Sequence, residues 1–281
     1  NRPMAIRSVQ TLYFSATGTT RLMATTLGHS FAQALQCPLS GHRDITPLAS
    51  RQEPIDFDSQ TLVVVGSPVY AGRVPNKIMP FFRDSIKGHD TPCVVVLTYG
   101  NRAYDNALSE MLQLLSANGF IVAGAITQPS QHTFSNLLAT GRPDDEDLAR
   151  AERYASLLSR RLQSGHIGHC LPIPSGELTY YTPLTAQGTK ANILKVKPQT
   201  DLDRCDLCGG CAEGCPMGSI SHAEPWKVEG ICIKCHACVK HCPRQAKQFT
   251  DPEFLSHTAM ILQNFTSHKE AEYFPDLGTT L

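Results

Sequence analysis

The chain of 281 residues carries 25 Lys and Arg against 25 Asp and Glu, with 41% apolar and 18% charged residues. That balance suits a soluble globular protein with a sizeable core and offers no basic field to hold a nucleic-acid backbone. The longest apolar run, TLVVVG from Thr61, is far too short to cross a bilayer, so neither nucleic acid nor a membrane is an expected partner.

No apolar segment of the secretory type opens the chain, and a cytoplasmic location is expected. Eleven cysteines in that compartment are poor evidence for disulfides, and clustered ones point to metal.

Residues 1–165 alternate strand and helix patterns. VQTLYF (9–14) reads as a buried strand and residues 19–35 as an amphipathic helix, with a weak strand between 38 and 46. TLVVVGS (61–67) is the next strand, followed by a helix over 76–86, a strand over 92–99 and a helix over 103–118. A strand over 120–127 and a helix over 144–164 complete the series. Continuous apolar strands separated by helices predict a parallel sheet covered on both faces. The expected class is α/β, a doubly wound sheet of five parallel strands, whose ligands bind beyond the strand carboxyl ends.

Three loops fall at such ends. Ser15, Ala16, Thr17, Gly18, Thr19 and Thr20 lie between the first strand and first helix, where amides and hydroxyls can cradle a phosphate. No G-K-[ST] ending or triple-glycine fingerprint is present, so the loop is neither a Walker nor a dinucleotide motif; the plain alternative is a capped helix start. Ser67, Pro68, Val69, Tyr70, Ala71 and Gly72 follow the third strand, and Thr98, Tyr99, Gly100, Asn101, Tyr104 and Asp105 follow the fourth. Tyrosine and glycine in both loops suit a planar ring approached by backbone on one side and covered by an aromatic on the other. Asp105 reads either as a proton relay or as the cap of the following helix.

Ser15, Thr17, Gly18 and Thr20 match the [ST]-x-T-G-x-T phosphate loop, so residues 5–165 resemble flavodoxin. The resemblance implies FMN, its phosphate on Ser15–Thr20 and its ring between the other two loops, with Tyr70, Tyr99 and Tyr104 as stacking candidates. Thr19 stands where flavodoxins usually have Asn.

Residues 166–200, rich in Pro, Gly and Thr, form a linker that is either a tether or a cover for the ring site, with Tyr180, Tyr181 and Lys190 as its candidate contacts. Within 201–250, Cys205, Cys208, Cys211 and Cys215 precede Pro216, and Cys232, Cys235, Cys238 and Cys242 precede Pro243, each 27 residues after its counterpart. Two copies of C-x2-C-x2-C-x3-C-P fit a two-cluster iron–sulfur module in which the fourth cysteine of each run serves the other cluster. Cys205, Cys208, Cys211 and Cys242 would then hold one cluster, and Cys232, Cys235, Cys238 and Cys215 the second. Two structural zinc sites are the alternative, although zinc ribbons separate their pairs by a long spacer. The segment resembles a bacterial ferredoxin with two [4Fe–4S] clusters, an expected small α+β domain, less acidic than that family with six Lys and Arg against seven Asp and Glu over 201–251. His236 and His241 are read as tuning groups and Cys37, Cys93 and Cys170 as incidental, Cys93 being buried. Residues 251–281 read as a C-terminal helix and a tail without chemistry.

Together the halves resemble the flavodoxin–ferredoxin fusion family. That resemblance implies an electron-transfer protein moving single electrons between two [4Fe–4S] clusters and FMN, with a ferredoxin or reductase as redox partner. An FMN-dependent reductase acting on a small organic substrate, and a sensor or scaffold with no flavin, are the alternatives. No nicotinamide fingerprint is present, and the oligomeric state is open.

Overall fold

The computed structural model describes residues 5–278. In chain order, β1 is Ser8–Tyr13, α1 Thr19–Leu35, β2 Leu39–Asp44, β3 Ile55–Phe57 and β4 Thr61–Pro68. Then come α2 Met79–Asp84, β5 Ile86–Gly88, β6 Thr91–Tyr99, α3 Ala107–Ala117, β7 Phe120–Pro129 and α4 Asp145–Gln163. The second half holds β8 Gln199–Thr200, α5 Gly210–Glu213, α6 Ala237–Lys240, β9 Lys247–Gln248, α7 Pro252–Asn264 and β10 Glu272–Phe274.

The main sheet runs β10-β7-β6-β4-β1-β2. Five of these strands are parallel, and β10 joins β7 antiparallel. The expected five-strand sheet is therefore corrected to six. An uncovered β7 edge would leave unpaired N–H and C=O groups; the tail returns to cover it, anchored where Tyr154 Oη donates to the Phe274 carbonyl. Apart from that edge the order is the doubly wound one. One core packs the α2 and α3 face, with Leu12, Phe14, Val63, Val65, Phe82, Met111 and the fully buried Cys93. The other packs α1 and α4 onto Val9, Tyr13, Val64, Val94 and Ile126.

Local chemistry sets the helix limits. Asp144 and Asp147 form a reciprocal capping box at α4, and Asp251 caps α7 by accepting from the Phe254 amide at 3.0 Å. The helix expected over 76–86 is confined to Met79–Asp84 because Ile86–Gly88 pairs with β3 in a small separate sheet. The helix expected from residue 103 starts at Ala107 because Asp105 is left-handed, with φ 39°. Beyond α4, residues 164–198 run without helix or ladder apart from an isolated Leu184–Lys190 bridge. β8 and β9 then pair antiparallel, framing α5 and α6. Among the described residues no helix is long and apolar enough to cross a membrane.

Candidate functional site

All three loops lie on the carboxyl rim of the sheet. In the first, Gly18 is left-handed (φ 97°) and begins α1 without a side-chain cap, unlike Asp144 and Asp251 in their helices. Ser15 Oγ accepts from the Arg21 amide at 3.0 Å, and the Ser15 amide donates to Thr46 Oγ1 at 2.8 Å. Thr20 Oγ1 meets Thr98 Oγ1 at 2.7 Å, tying this loop to the end of β6. α1 sits this close to the sheet because position 66 is glycine: a Cβ there would fall 2.9 Å from Thr20 Cγ2.

The second and third loops are zipped together. The Val69 amide donates to the Thr98 carbonyl, and the Asn106 amide to Gly72 O, both at 2.9 Å. Asp105 lies against Gly72 so closely that a Cβ there would be 2.4 Å from Asp105 Oδ2. Asp105 is not the helix cap: Asn106 holds that position, and Asp105 pairs with Arg102. Tyr99 and Tyr104 meet edge to face at 5.6 Å. Burial, reinforced by the nearby Glu272 carboxylate, pushes each hydroxyl up to about 12. Asn101 Nδ2 donates to the carbonyls of Phe265 and Ser267, while its buried Oδ1 has no partner.

The linker reaches both loops. Arg73 Nη1 donates to Leu178 O at 2.8 Å and its guanidinium lies 4.4 Å from the Tyr180 ring. Arg102 lies 3.6 Å from the Tyr181 ring, and the Tyr181 amide donates to Ala71 O at 2.9 Å. Lys190 is not brought there; it is exposed and bridges to Leu184. The tail, expected to carry no chemistry, instead faces the third loop. Lys269, Glu270 and Glu272 line a 480 Å³ cleft with Tyr99, Tyr104 and Asp105. Sequence reasoning had no signal for these, because the contacts are set by the β10 pairing.

The cysteine repeat reappears in the backbone. Leu207 and Lys234 (φ 62° and 56°), Gly209 and His236 (74° and 63°), and Gly218 and Gln245 (61° and 51°) are left-handed pairs, each 27 residues apart. Helices α5 and α6 are offset by the same amount. Left-handed turns beside the cysteines fold each run tightly enough to converge its thiols. Cys205, Cys208, Cys211 and Cys242 line one cavity. Cys215 lies near enough to Cys232, Cys235 and Cys238 for its charge to act on all three. Burial first, then the neighbouring thiols, pushes Cys235 and Cys238 up to about 12. Backbone amides point at sulfur: Ser219 to Cys215 at 3.5 Å, Lys234 to Cys232 at 3.4 Å and Ala246 to Cys242 at 3.3 Å.

The two sets differ in depth. Cys208 is exposed, whereas Cys235 is buried and belongs to the core beneath the second loop, with Val69 and Tyr70 packed against that core. Enclosure, then the Cys235 and Cys232 sulfurs, holds the Tyr70 hydroxyl well above its ordinary value. Arg51, unremarked in the sequence, ties the module down by donating to Ile45 O, Thr46 O and, across 165 positions, Pro216 O. His236 accepts or donates at Nδ1 to Lys234 O and stacks on Phe249 at 4.4 Å; His241 is exposed.

Among the described residues no three His, Cys, Asp or Glu side chains are close enough to hold one metal ion. Four thiolates on a single zinc at about 2.3 Å would lie roughly 3.8 Å apart. A cubane spreads its thiolates wider, because each binds a different iron. The donor set thus fits a cluster better than a lone ion. The uncapped α1 terminus and the orphaned Asn101 Oδ1 likewise fit a bound anion and a ring with a hydrogen-bond donor.

No protein-family model and no curated protein matches the chain. Among solved structures, a Streptococcus pneumoniae flavodoxin is similar at 14% identity and a TM-score of 0.39, over 56% of this chain and 98% of that one. The flavodiiron core of a Synechocystis protein matches at 15% and 0.38, over 57% and 36% of the two chains. An azoreductase from Bacillus anthracis matches at 8% and 0.37, over 55% and 99%. Likenesses of this size say nothing of chemistry; the α/β architecture stands on the chain's own strand order.

Proposed function

We propose that this chain is an electron-transfer flavo-iron–sulfur protein, with FMN on the three rim loops and a [4Fe–4S] cluster on each crossed set of four cysteines. One observation carries the reading: Tyr70, on the candidate flavin loop, has its hydroxyl enclosed beside Cys232 and Cys235 of the deeper set. When bound, the clusters supply one-electron transfer and the flavin exchange between one- and two-electron chemistry.

The chain's own residues do the rest. Ser15–Thr20 offer amides and hydroxyls to a phosphate. Arg73 and Arg102, holding Tyr180 and Tyr181 across the second and third loops, keep water from the ring site. Amide donors on the cysteine sulfurs stabilise negative charge there. Packing of Cys235 into the main core fixes the module against the loops.

Anaerobically purified protein should contain about eight irons and one FMN. Cys208→Ala should lose one cluster, keep FMN and block reduction of flavin from the cluster side. Iron without flavin sinks the phosphate-loop assignment, and unaltered flavin reduction in Cys208→Ala sinks the route. A second reading, FMN-dependent reduction of a small organic substrate, is favoured by the 480 Å³ cleft beside Tyr99 and Tyr104. Turnover of such a substrate, lost in Tyr104→Phe with FMN still bound, would select it.

A further inference from the structure

The two copies of the cysteine turn are alike in backbone and opposite in exposure. In the second, the left-handed residue ahead of the buried Cys235 is Lys234, whose Nζ donates to Leu194 O at 2.9 Å. In the first, the equivalent residue is Leu207, 60% exposed, ahead of the exposed Cys208. Two more large apolar side chains surround the same cavity. Leu202, 61% exposed, is two residues from the lining Thr200, and Trp226, 40% exposed, directly follows the lining Pro225. Leucine at a left-handed position is disfavoured locally, and its side chain gains no burial in return.

We propose that Leu202, Leu207 and Trp226 form the docking face for a one-electron carrier protein, delivering to the cavity of Cys205, Cys208, Cys211 and Cys242. This rests on the cluster reading of those four cysteines. The occupant follows from three observations. A cluster site passes single electrons, so the partner is a one-electron carrier. The three side chains stand on the surface around an exposed cysteine rather than lining an enclosed pocket, so the partner is a protein surface and not a small molecule. The rim charges are near balance, with Arg244 and Asp206 paired at 3.8 Å and both exposed, and Asp203 beside Arg204. Docking is therefore apolar and depends weakly on salt. A small contact of this kind suits the short-lived complexes of redox carriers. The deeper set then relays inward, since Cys235 lies in the core beside Tyr70.

The probes are a purified two-cluster bacterial ferredoxin and a flavodoxin. Binding is read by interferometry and reduction by stopped flow, for the full chain with iron content and EPR recorded for each variant. Leu207→Asp and Trp226→Asp should weaken binding of at least one probe tenfold or more and slow reduction by it equally. Iron content and reduction by methyl viologen should not change. Leu255→Asp, on the exposed side of α7, should match the wild type. Iron-loaded variants that bind as the wild type overturn the docking face alone, as does a wild type that binds neither probe. So does a concentration-dependent dimer abolished by Leu207→Asp, which would assign the face to a second copy. Protein that holds no iron overturns the cluster reading and this proposal together.

Discussion

Replacing Asp147 by Asn isolates the buried ion pair that braces the third loop from behind. Arg142 and Asp147 side chains are 8% and 4% exposed, with Arg142 Nε donating to Asp147 Oδ2 at 2.9 Å and Nη2 donating to Oδ1. Arg142 Nη1 donates to Lys269 O, and Lys269 Nζ donates to Arg102 O on the loop itself. Asn keeps the shape but leaves the guanidinium as an uncompensated buried cation, a loss of about 3–5 kcal/mol. At 2–4 °C per kcal/mol for a chain of this size, melting should fall by at least about 6 °C. Urea unfolding gives the free energy. Arg142→Met with Asp147→Leu should recover most of it, because the desolvation cost goes with the charges. A single-mutant loss under about 1 kcal/mol, or singles that simply add, would refute the coupling. Burial alone would raise the Asp147 carboxyl, but hydrogen bonds from Arg142, the Asp144 amide and Gln128 outweigh it and hold it below the ordinary value. A depressed carboxylate contributes fully above its unfolded pKa, and its contribution disappears as pH falls through the folded value.

The remaining expectations concern packing, acid and the strap. Gly124→Ala would place a Cβ 2.3 Å from Tyr154 Oη and 2.5 Å from Leu158 Cδ2, so a loss of about 1–3 kcal/mol is expected by urea titration; an unchanged midpoint would contradict that packing. Burial first, then the charges of His236 and His257, lowers His132 to about 3, and its Nδ1 accepts the Phe134 amide at 3.0 Å. Because the folded value lies below the unfolded one, His132 favours the fold above about pH 6.5 and loses that contribution toward pH 3. His132→Phe should flatten the stability profile in that window, and an identical slope would rule His132 out as its source. Arg102→Ala removes the Tyr181 stacking and the Asp105 pair, so hydrogen exchange should quicken at residues 178–182 with less than about 1 kcal/mol of global loss. Unaltered exchange there would mean the strap is held from elsewhere.

Where the chain's own local chemistry decides structure, the sequence was readable. β4 and β6 are buried at nearly every position and show as unbroken apolar runs. β2, LSGHRD at the sheet edge, shows only as a weak strand because one side faces solvent. The 27-residue repeat was legible because left-handed turns and thiols recur in register. β10 was not, since three residues, Glu272–Phe274, owe their strand state to a β7 partner about 145 positions earlier. Asp105 was misread for a related reason: its role comes from Gly72 across the rim, and no local pattern records that contact. Nor does spacing say which of two identical cysteine runs is buried. That depends on what packs over it.

The packing bears on how the two halves communicate. A linker of some 35 residues with no ladder of its own would, as a free tether, set only an average separation between loops and cysteines. Here it is not free. Leu178, Thr179 and Tyr181 are hydrogen-bonded to Arg73, Asn106 and Ala71, Arg51 clamps Pro216, and Cys235 and Ala237 share a core with β4 and β6. A ladder of rings continues the join, from His132 against Gly100 through Phe134 at 5.0 Å to His236 at 4.8 Å. The spacing between the candidate flavin loop and the deeper cysteine set is therefore fixed by packed side chains, as in a domain core. Lengthening the linker should leave that spacing unchanged, whereas opening the core at Cys235 should not.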